Sequence, residues 1–484
     1  MRSVHLALAV LTALSLSACR TVGPDYHRPE LPLPPAFSPE AGASPSAAPA
    51  VPDAWWTLFG DPVLDRLIGE AFAANQDLAA AAARVEQARA LAGLAEADRY
   101  PEVAGTADLS RNRQSSKGSF PLPPGFALER NDFRIAANVS YELDFWGRLR
   151  RSSEAARAEL LASEEGRRNV ALSLASEVAT AYFDLVAYEA QLRITRDTLG
   201  TRGETVRLQN VRSEAGTISG LDLAQAQAEL ASAEATVPVL ERLVRQTENR
   251  LGVLLGRFGG TVERGPGLDA LVTPDVPVGL PSQLLARRPD VLEAEARLAA
   301  ANARIGVARA AFFPSISLTG YAGTESSELS DLFSSGTFIW QAATSLFQPI
   351  FNAGRNRRNF EVAEARQRET LASYTQSLQV AFAEVEDALV ARRTGVAERE
   401  ALARQVEALS RARRLAGIRY DAGESSYFEV LDADRTLFQA QLNLVDARRA
   451  ELAASVALLK ALGGGWEESG ASGAEEASPP AATE

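Results

Sequence analysis

The chain has 484 residues, 46% of them hydrophobic and 23% charged, which suffices for two or three ordinary domains or one elongated one. A net charge of -12 lacks the basic footprint of a nucleic-acid binder. Two histidines, His5 and His27, and one cysteine, Cys19, leave almost nothing from which to build a disulfide, a His/Cys metal cluster or a Ser-His-Asp triad.

In chain order, Arg2 precedes the apolar run from Val4 to Leu11 and a stretch of small residues, too short for a membrane span. Residues 1–18 therefore read as a secretory signal peptide. Leu16-Ser17-Ala18-Cys19 resembles a bacterial lipobox, so cleavage before Cys19 and acylation of its thiol are expected. Several acyl chains would anchor the protein stably, where one alone is marginal. Arg20, and not aspartate, follows the cysteine, which favours sorting to the outer membrane. Residues 19–52 are expected to form a lipidated tether, rich in Pro, Ala and Ser from Tyr26 onward, that ends near Trp55 and Trp56.

The body that follows is written twice. Asp77 and Asp290, and Pro101 and Pro314, are 213 positions apart; Gly147 and Gly354, Gly216 and Gly423, and Gly256 and Gly463 are 207 apart. The first repeat spans 53–256 and the second 285–463, joined by a connector at 257–284 and followed by an end segment and disordered tail at 464–484. Each repeat reads as a helix, a β-hairpin (about 102–145 and about 315–352), a very long helix, a glycine turn and a final helix. The long helices run from about Arg148 to Ala215 and from about Arg355 to Ala422, rich in strong helix formers and free of proline. Nearly 70 residues at about 1.5 Å each reach roughly 100 Å.

The hairpins carry the second signal. Phe133, Ile135, Ala137, Val139, Tyr141 and Leu143 alternate with Arg134, Asn138, Ser140 and Glu142, the period of a strand with one apolar and one polar face. Val103, Ala107 and Leu109, and in the second repeat Ile316 and Leu318, repeat the pattern, whereas Phe338 to Phe347 alternates less cleanly. Strands of about ten residues match a tilted membrane-spanning strand. Four strands cannot close a barrel, since single-chain examples begin at about eight. Open edges are not tolerated in lipid. An oligomer that shares one barrel follows.

Several stretches together resemble an outer-membrane factor of the TolC/NodT type, the exit duct of tripartite efflux systems. They are Tyr141-Glu-Leu-Asp-Phe-Trp-Gly-Arg148, Arg288-Pro-Asp-Val-Leu-Glu-Ala-Glu295, Ala301-Asn-Ala-Arg-Ile-Gly-Val-Ala-Arg-Ala-Ala-Phe-Phe-Pro314, Tyr427-Phe-Glu-Val-Leu-Asp-Ala-Asp-Arg435 and Lys460-Ala-Leu-Gly-Gly-Gly-Trp466. The resemblance implies a mainly α fold with a membrane β part: a homotrimer forming a twelve-stranded β-barrel, four strands per subunit, on a twelve-helix α-barrel with an equatorial collar. It implies an export channel with no cofactor beyond the lipid on Cys19, working with a periplasmic adaptor of the membrane fusion class and an inner-membrane pump of the resistance-nodulation-division class, in contact with outer-membrane lipid and without nucleic acid.

The same resemblance implies a gate at the periplasmic hairpin turns, Gly216 and Gly423. Ser219 and Ser425 or Ser426 are candidate caps of the helices that follow. Glu429 and Asp432, three apart on one helix face, would become rings of carboxylates under threefold symmetry, beside Phe428 as an apolar constriction. Tyr420 and Asp222 match a family hydrogen bond that locks neighbouring hairpins; Ser425 stands where some relatives have a basic residue, and Arg419 is a candidate to compensate. Two other classes remain: a periplasmic coiled-coil lipoprotein acting as an adaptor without a pore, and a secreted hydrolase using two carboxylates. The paired strand segments oppose the first, and the long rods oppose the second.

Overall fold

The computed structural model describes residues 21–34, 37, 52–117, 123, 127–276 and 287–464. The signal peptide, Cys19, most of the tether, the connector beyond 276, Trp466 and the tail lie outside the described residues.

Among the described residues, seven α-helices and four strands make up the regular structure, beside three short 3-10 helices: α1 (Pro62–Ala74), α2 (Gln76–Ala97), β1 (Glu102–Arg113), β2 (Glu129–Leu143), α3 (Arg148–Glu214), α4 (Gly220–Leu254), α5 (Pro289–Ala310), β3 (Ser315–Ser326), β4 (Phe338–Phe347), α6 (Arg355–Asp421) and α7 (Tyr427–Ala461). The sequence reading gives the first repeat, 53–256, one helix before its hairpin, where the structure has two, α1 and α2. The signal of α1 was present: Asp61 accepts the Val63 N–H at 2.8 Å as N-cap, and Pro62 occupies the first helical position, where its missing N–H costs nothing.

Two compact units divide the chain, and they cut across the repeats. One takes Val85–Ser163 and Ala294–Tyr374 with the N-terminal residues up to Pro29; the other takes Glu30–Arg84, Glu164–Glu293 and Thr375 onward. The first unit holds the strands of both repeats, because each repeat's hairpin finds its sheet partner in the other repeat.

That sheet is antiparallel throughout, in the order β1-β2-β3-β4, so β1 and β4 are edges. The register keeps its two faces distinct. On one face Val103 lies opposite Val139, Leu109 opposite Phe133, Tyr141 opposite Leu318 and Ile316 opposite Leu346. On the other, Asp108 lies opposite Arg134, Arg134 opposite Glu325, and Ser317 opposite Ser345. Arg134 also sits over the Tyr321 ring at 4.1 Å, and Asn138 donates to the Thr106 hydroxyl at 3.0 Å. The apolar face is exposed: Val103, Leu109, Trp340 and Leu346 all present most of their surface. A sheet that shows water its apolar side and pairs its polar side is built for lipid outside and solvent inside.

Residues 21–28 adopt neither helix nor strand but are strapped to the same unit. The Val22 N–H donates to the Trp146 carbonyl at 3.0 Å, Asn302 donates to the Pro24 carbonyl at 3.0 Å, and Arg28 grips Glu295 with two bonds of 2.6 and 2.7 Å. A Cβ on Gly306 would stand 2.9 Å from the Val22 carbonyl oxygen and 2.8 Å from Arg151 Cγ, so only glycine admits the strap there.

In the second unit, α1 buries Leu64, Leu67 and Ile68 with Trp55, Phe59 and the Val178–Leu185 stretch of α3. By length and composition α3 is apolar enough to cross a membrane, but 72% of its most apolar window is buried inside protein, where it serves as core. Tyr182 donates to Asp61 at 2.5 Å and accepts the Gly265 N–H at 3.0 Å, which ties the connector to α1 and α3. Burial and the Asp61 carboxylate hold the Tyr182 hydroxyl well above the usual phenol range.

Candidate functional site at the hairpin tips

The tips lie in the second unit. Both turns close alike. Gly216 (φ 71°) and Gly423 (φ 77°) take the left-handed conformation, and the N–H of the following residue reaches back to Arg212 and Arg419 carbonyls respectively, each at 2.9 Å. This is the helix stop that glycine permits without Cβ strain.

Beyond the turns the tips diverge. Ser219 caps α4: its hydroxyl accepts the Asp222 N–H at 3.2 Å, and the Asp222 carboxylate accepts the Ser219 hydroxyl at 2.9 Å and its backbone N–H at 3.4 Å. Ser426 holds the equivalent position on α7, but its side chain makes no cap bond, and the Ser425 hydroxyl is buried without a partner. Neither Ser425 nor Ser426, the two candidates, therefore caps α7 with its side chain. Glu429 accepts from Arg419 at 3.0 Å across the turn, and Asp432 accepts from Arg435 at 2.8 Å along α7. The two acids singled out from the sequence thus share a face, but each is charge-compensated by an arginine, and all four side chains remain about half exposed. Phe428 beside them is 57% exposed.

Within the chain, Tyr420 and Asp222 are not joined to each other. The Tyr420 hydroxyl accepts from Arg212 at 3.1 Å and from Gln209 at 3.3 Å, both on the first hairpin, while the Asp222 carboxylate is occupied by the cap. Tyr420 also packs against Tyr427, ring centroids 5.5 Å apart. Burial, and then the nearby Asp434 charge, push the Tyr427 hydroxyl up to about 12.

A second tie between the hairpins went unseen in the sequence. Arg202 on α3, only 5% exposed, donates to the Glu229 carbonyl at 2.7 Å, pairs with the Glu229 carboxylate at 3.1 Å and the Asp434 carboxylate at 3.3 Å, and lies over the Phe438 ring at 5.2 Å. Arg413 reaches the other Asp434 oxygen at 3.4 Å. A cleft of about 370 Å³ opens beside this network, lined by Asp197, Thr201, Arg413, Asp434 and Gln441. Nothing local marks Arg202, because its partner Asp434 is 232 positions away. Among the described residues no group of His, Cys, Asp and Glu could hold a metal ion.

Comparison with known proteins gives this geometry its context. The family model described as outer membrane efflux protein matches residues 67–257 and 280–464. The chain is 39% identical over 463 residues to the cation efflux system protein CusC of Escherichia coli O6:H1, covering 95% of this chain and 99% of the relative. It is likewise 39% identical over 471 residues to the toluene efflux pump outer membrane protein TtgC of Pseudomonas putida, covering 96% of each. A crystal structure of CusC, from work on its folding and transmembrane channel formation, superposes with a TM-score of 0.83 at 37% identity, covering 92% of this chain and all of that one.

Proposed function

This chain belongs to the outer membrane efflux protein family, and on that premise we propose that three copies share one barrel and one duct through which small molecules leave the cell. The observation that carries the proposal is the two-faced, four-stranded sheet with both edges open. Unpaired strand edges cost several kcal/mol per backbone group in lipid, roughly, and three copies supply twelve strands that close them. The protein is an outer-membrane efflux channel, in a transport family and not an enzyme family. A periplasmic adaptor and an inner-membrane pump of the resistance-nodulation-division class complete the system.

Cys19 carries the lipid anchor. Val22, three residues on, is bonded to Trp146, three residues beyond the end of β2, so acyl chains on Cys19 enter the bilayer at the base of the sheet. The cargo is chosen upstream. CusC bears the name of a cation system and TtgC that of a toluene pump, and this chain, with a single methionine and two histidines, has few soft ligands of its own.

The gate lies at the second tip. Phe428 narrows the mouth, and Glu429 and Asp432 ring it with carboxylates whose field the neighbouring Arg419 and Arg435 reduce. Arg212, Gln209 and Tyr420 hold the two hairpins together in the resting state. Ion conductance in a planar bilayer tests this, with Glu429→Ala and Asp432→Ala beside the natural protein. Small, cation-selective steps that grow or lose selectivity in the variants are expected. Steps indifferent to both substitutions would keep the channel and discard the gate. A monomer without conductance would sink the channel and leave the coiled-coil lipoprotein.

A further inference from the structure

The two faces of the sheet differ in where they keep their charge. The polar face carries it along its whole length, from Glu142 through Arg134 and Asp108 to Asp132 and Arg130. On the apolar face, among the described residues, the charged side chains of the strands are Arg111, Arg113 and Glu129. All three stand at the far end of the β1–β2 ladder, opposite the end at which the chain enters and leaves it. Leu109 lies opposite Phe133, Arg111 opposite Asn131 and Arg113 opposite Glu129, so the two arginines continue the row of Val103, Ala107 and Leu109.

Their height above the apolar band follows from strand geometry. From Phe133 to Leu143, at about 3.3 Å per residue and a tilt of about 40°, the band rises roughly 25 Å, the thickness of the lipid-facing belt of an outer-membrane barrel. By the same measure Arg111 and Arg113 stand roughly 5 and 10 Å beyond Leu109, in and just above the headgroup layer. Phe338 and Trp340 lie on the same face at the outer end of β4, both mostly exposed, where an interfacial aromatic girdle is expected. The charge there is not balanced. Glu129 accepts from Arg111 at 2.7 Å and from Arg113 at 3.0 Å, one carboxylate between two guanidiniums. Both arginines remain about 70% exposed, and each gives Glu129 one of its five N–H donors. The polar face shows the reverse arrangement, with Arg134 opposite both Asp108 and Glu325.

We propose that Arg111 and Arg113 bind the phosphate groups of the phosphorylated glycolipid of the outer leaflet, whose acyl chains lie along the apolar face below them. The inference rests on the reading of the sheet as part of a membrane barrel. Guanidiniums set directly above an apolar band fit a ligand that is anionic at one end and hydrocarbon at the other. The planar fork of arginine makes parallel, charge-assisted bonds to phosphate oxygens. Free phosphate would meet the same donors but leave the band uncovered. Glu129 holds the two guanidiniums side by side, and its own charge opposes the ligand.

Titration of the detergent-solubilised, full-length protein with lipid A carrying its phosphates, read by native mass spectrometry, tests this. Arg111→Gln with Arg113→Gln should weaken binding about tenfold or more, as expected when charge-assisted bonds are lost. Glu129→Gln should strengthen it, and Arg130→Gln, on the polar face, should leave it unchanged. Lipid A stripped of its phosphates should bind the natural protein as weakly as the intact lipid binds the double variant. Only preparations that conduct in a planar bilayer are compared, which sets misfolding aside, and the gain at Glu129 cannot arise from it. Equal binding of the two lipids, or a double variant that binds like the natural protein, overturns the proposal and leaves the channel. Displacement of lipid A by inorganic phosphate at equal concentration overturns the lipid assignment and leaves an anion site. A natural protein that neither conducts nor retains lipid overturns the membrane barrel itself.

Discussion

The two hairpin tips are copies of one another, and their difference separates structure from mechanism. Arg212 and Arg419, Ser219 and Ser426, Leu221 and Phe428, and Asp222 and Glu429 are equivalent pairs, each 207 positions apart. At the first tip the acid turns back and closes the capping box with Ser219. At the second, a side chain one methylene longer reaches Arg419 instead, and the helix start is left without its cap. Arg212, released from any such acid, crosses to Tyr420 on the other hairpin. The first tip therefore keeps its acid within its own cap, and the second keeps its acid in a weak, exposed pair with Arg419.

The largest effect is expected where the two hairpins are joined. Arg202→Met removes the buried cation between Glu229 and Asp434 and leaves Glu229 without it and Asp434 with Arg413 alone, both carboxylates still mostly buried. Breaking such a pair from one side costs about 3–5 kcal/mol. Denaturant unfolding of the purified protein should show this loss. Asp434→Asn added to it should restore part, because one of the two carboxylates that lost Arg202 is then neutral. A strictly additive double variant would mean that Arg202 does not tie the second hairpin to the first.

A smaller effect distinguishes the tips directly. Ser219→Ala deletes a working cap, at about 0.5–2 kcal/mol, whereas Ser426→Ala deletes a hydroxyl that caps nothing. Amide hydrogen exchange should quicken at the start of α4 in the first variant and stay unchanged at the start of α7 in the second. Equal responses would erase the asymmetry.

How much of this was legible in sequence depends on the range of the interaction. The glycine turns, the long helices and the strand alternation are local, and Gly216, Gly423 and the Phe133–Leu143 pattern announced them. β4 also formed despite its poorer alternation, because β3 supplied a partner for every residue from Phe338 to Phe347. Helix α1 had a local signal at Asp61-Pro62 that a search for repeats passed over, since α1 stands before the first equivalent pair. The ties of Arg202 to Asp434 and of Arg212 to Tyr420 were not legible, because these partners on the other hairpin are more than 200 positions away and an arginine in a helix is by itself ordinary. The acids at 429 and 432 were named by resemblance, and Arg419 as a candidate in the lock between hairpins, but neither Arg419 nor Arg435 as the partner of an acid. One of these pairs spans a turn, and helical spacing says nothing about it.

The smallest effect on stability is also the most diagnostic for function. Arg419 and Glu429 are both about half exposed, and an ion pair of that kind is worth about 0.2–1 kcal/mol. Arg419→Gln should therefore leave unfolding nearly unchanged. It nevertheless uncovers the Glu429 carboxylate, so reversal potentials across a salt gradient should move toward stronger cation preference. Arg212→Gln is the matched control on the other repeat: its side chain holds a phenol and not an acid, so its loss exposes no new charge. That variant should loosen the tips and raise conductance without raising cation preference. If both substitutions shift selectivity alike, the arginines act only through the net charge of the mouth and the rewiring between the two tips has no part in it. If Arg419→Gln alone does so, the acid that the second tip leaves uncapped is the one that ions meet.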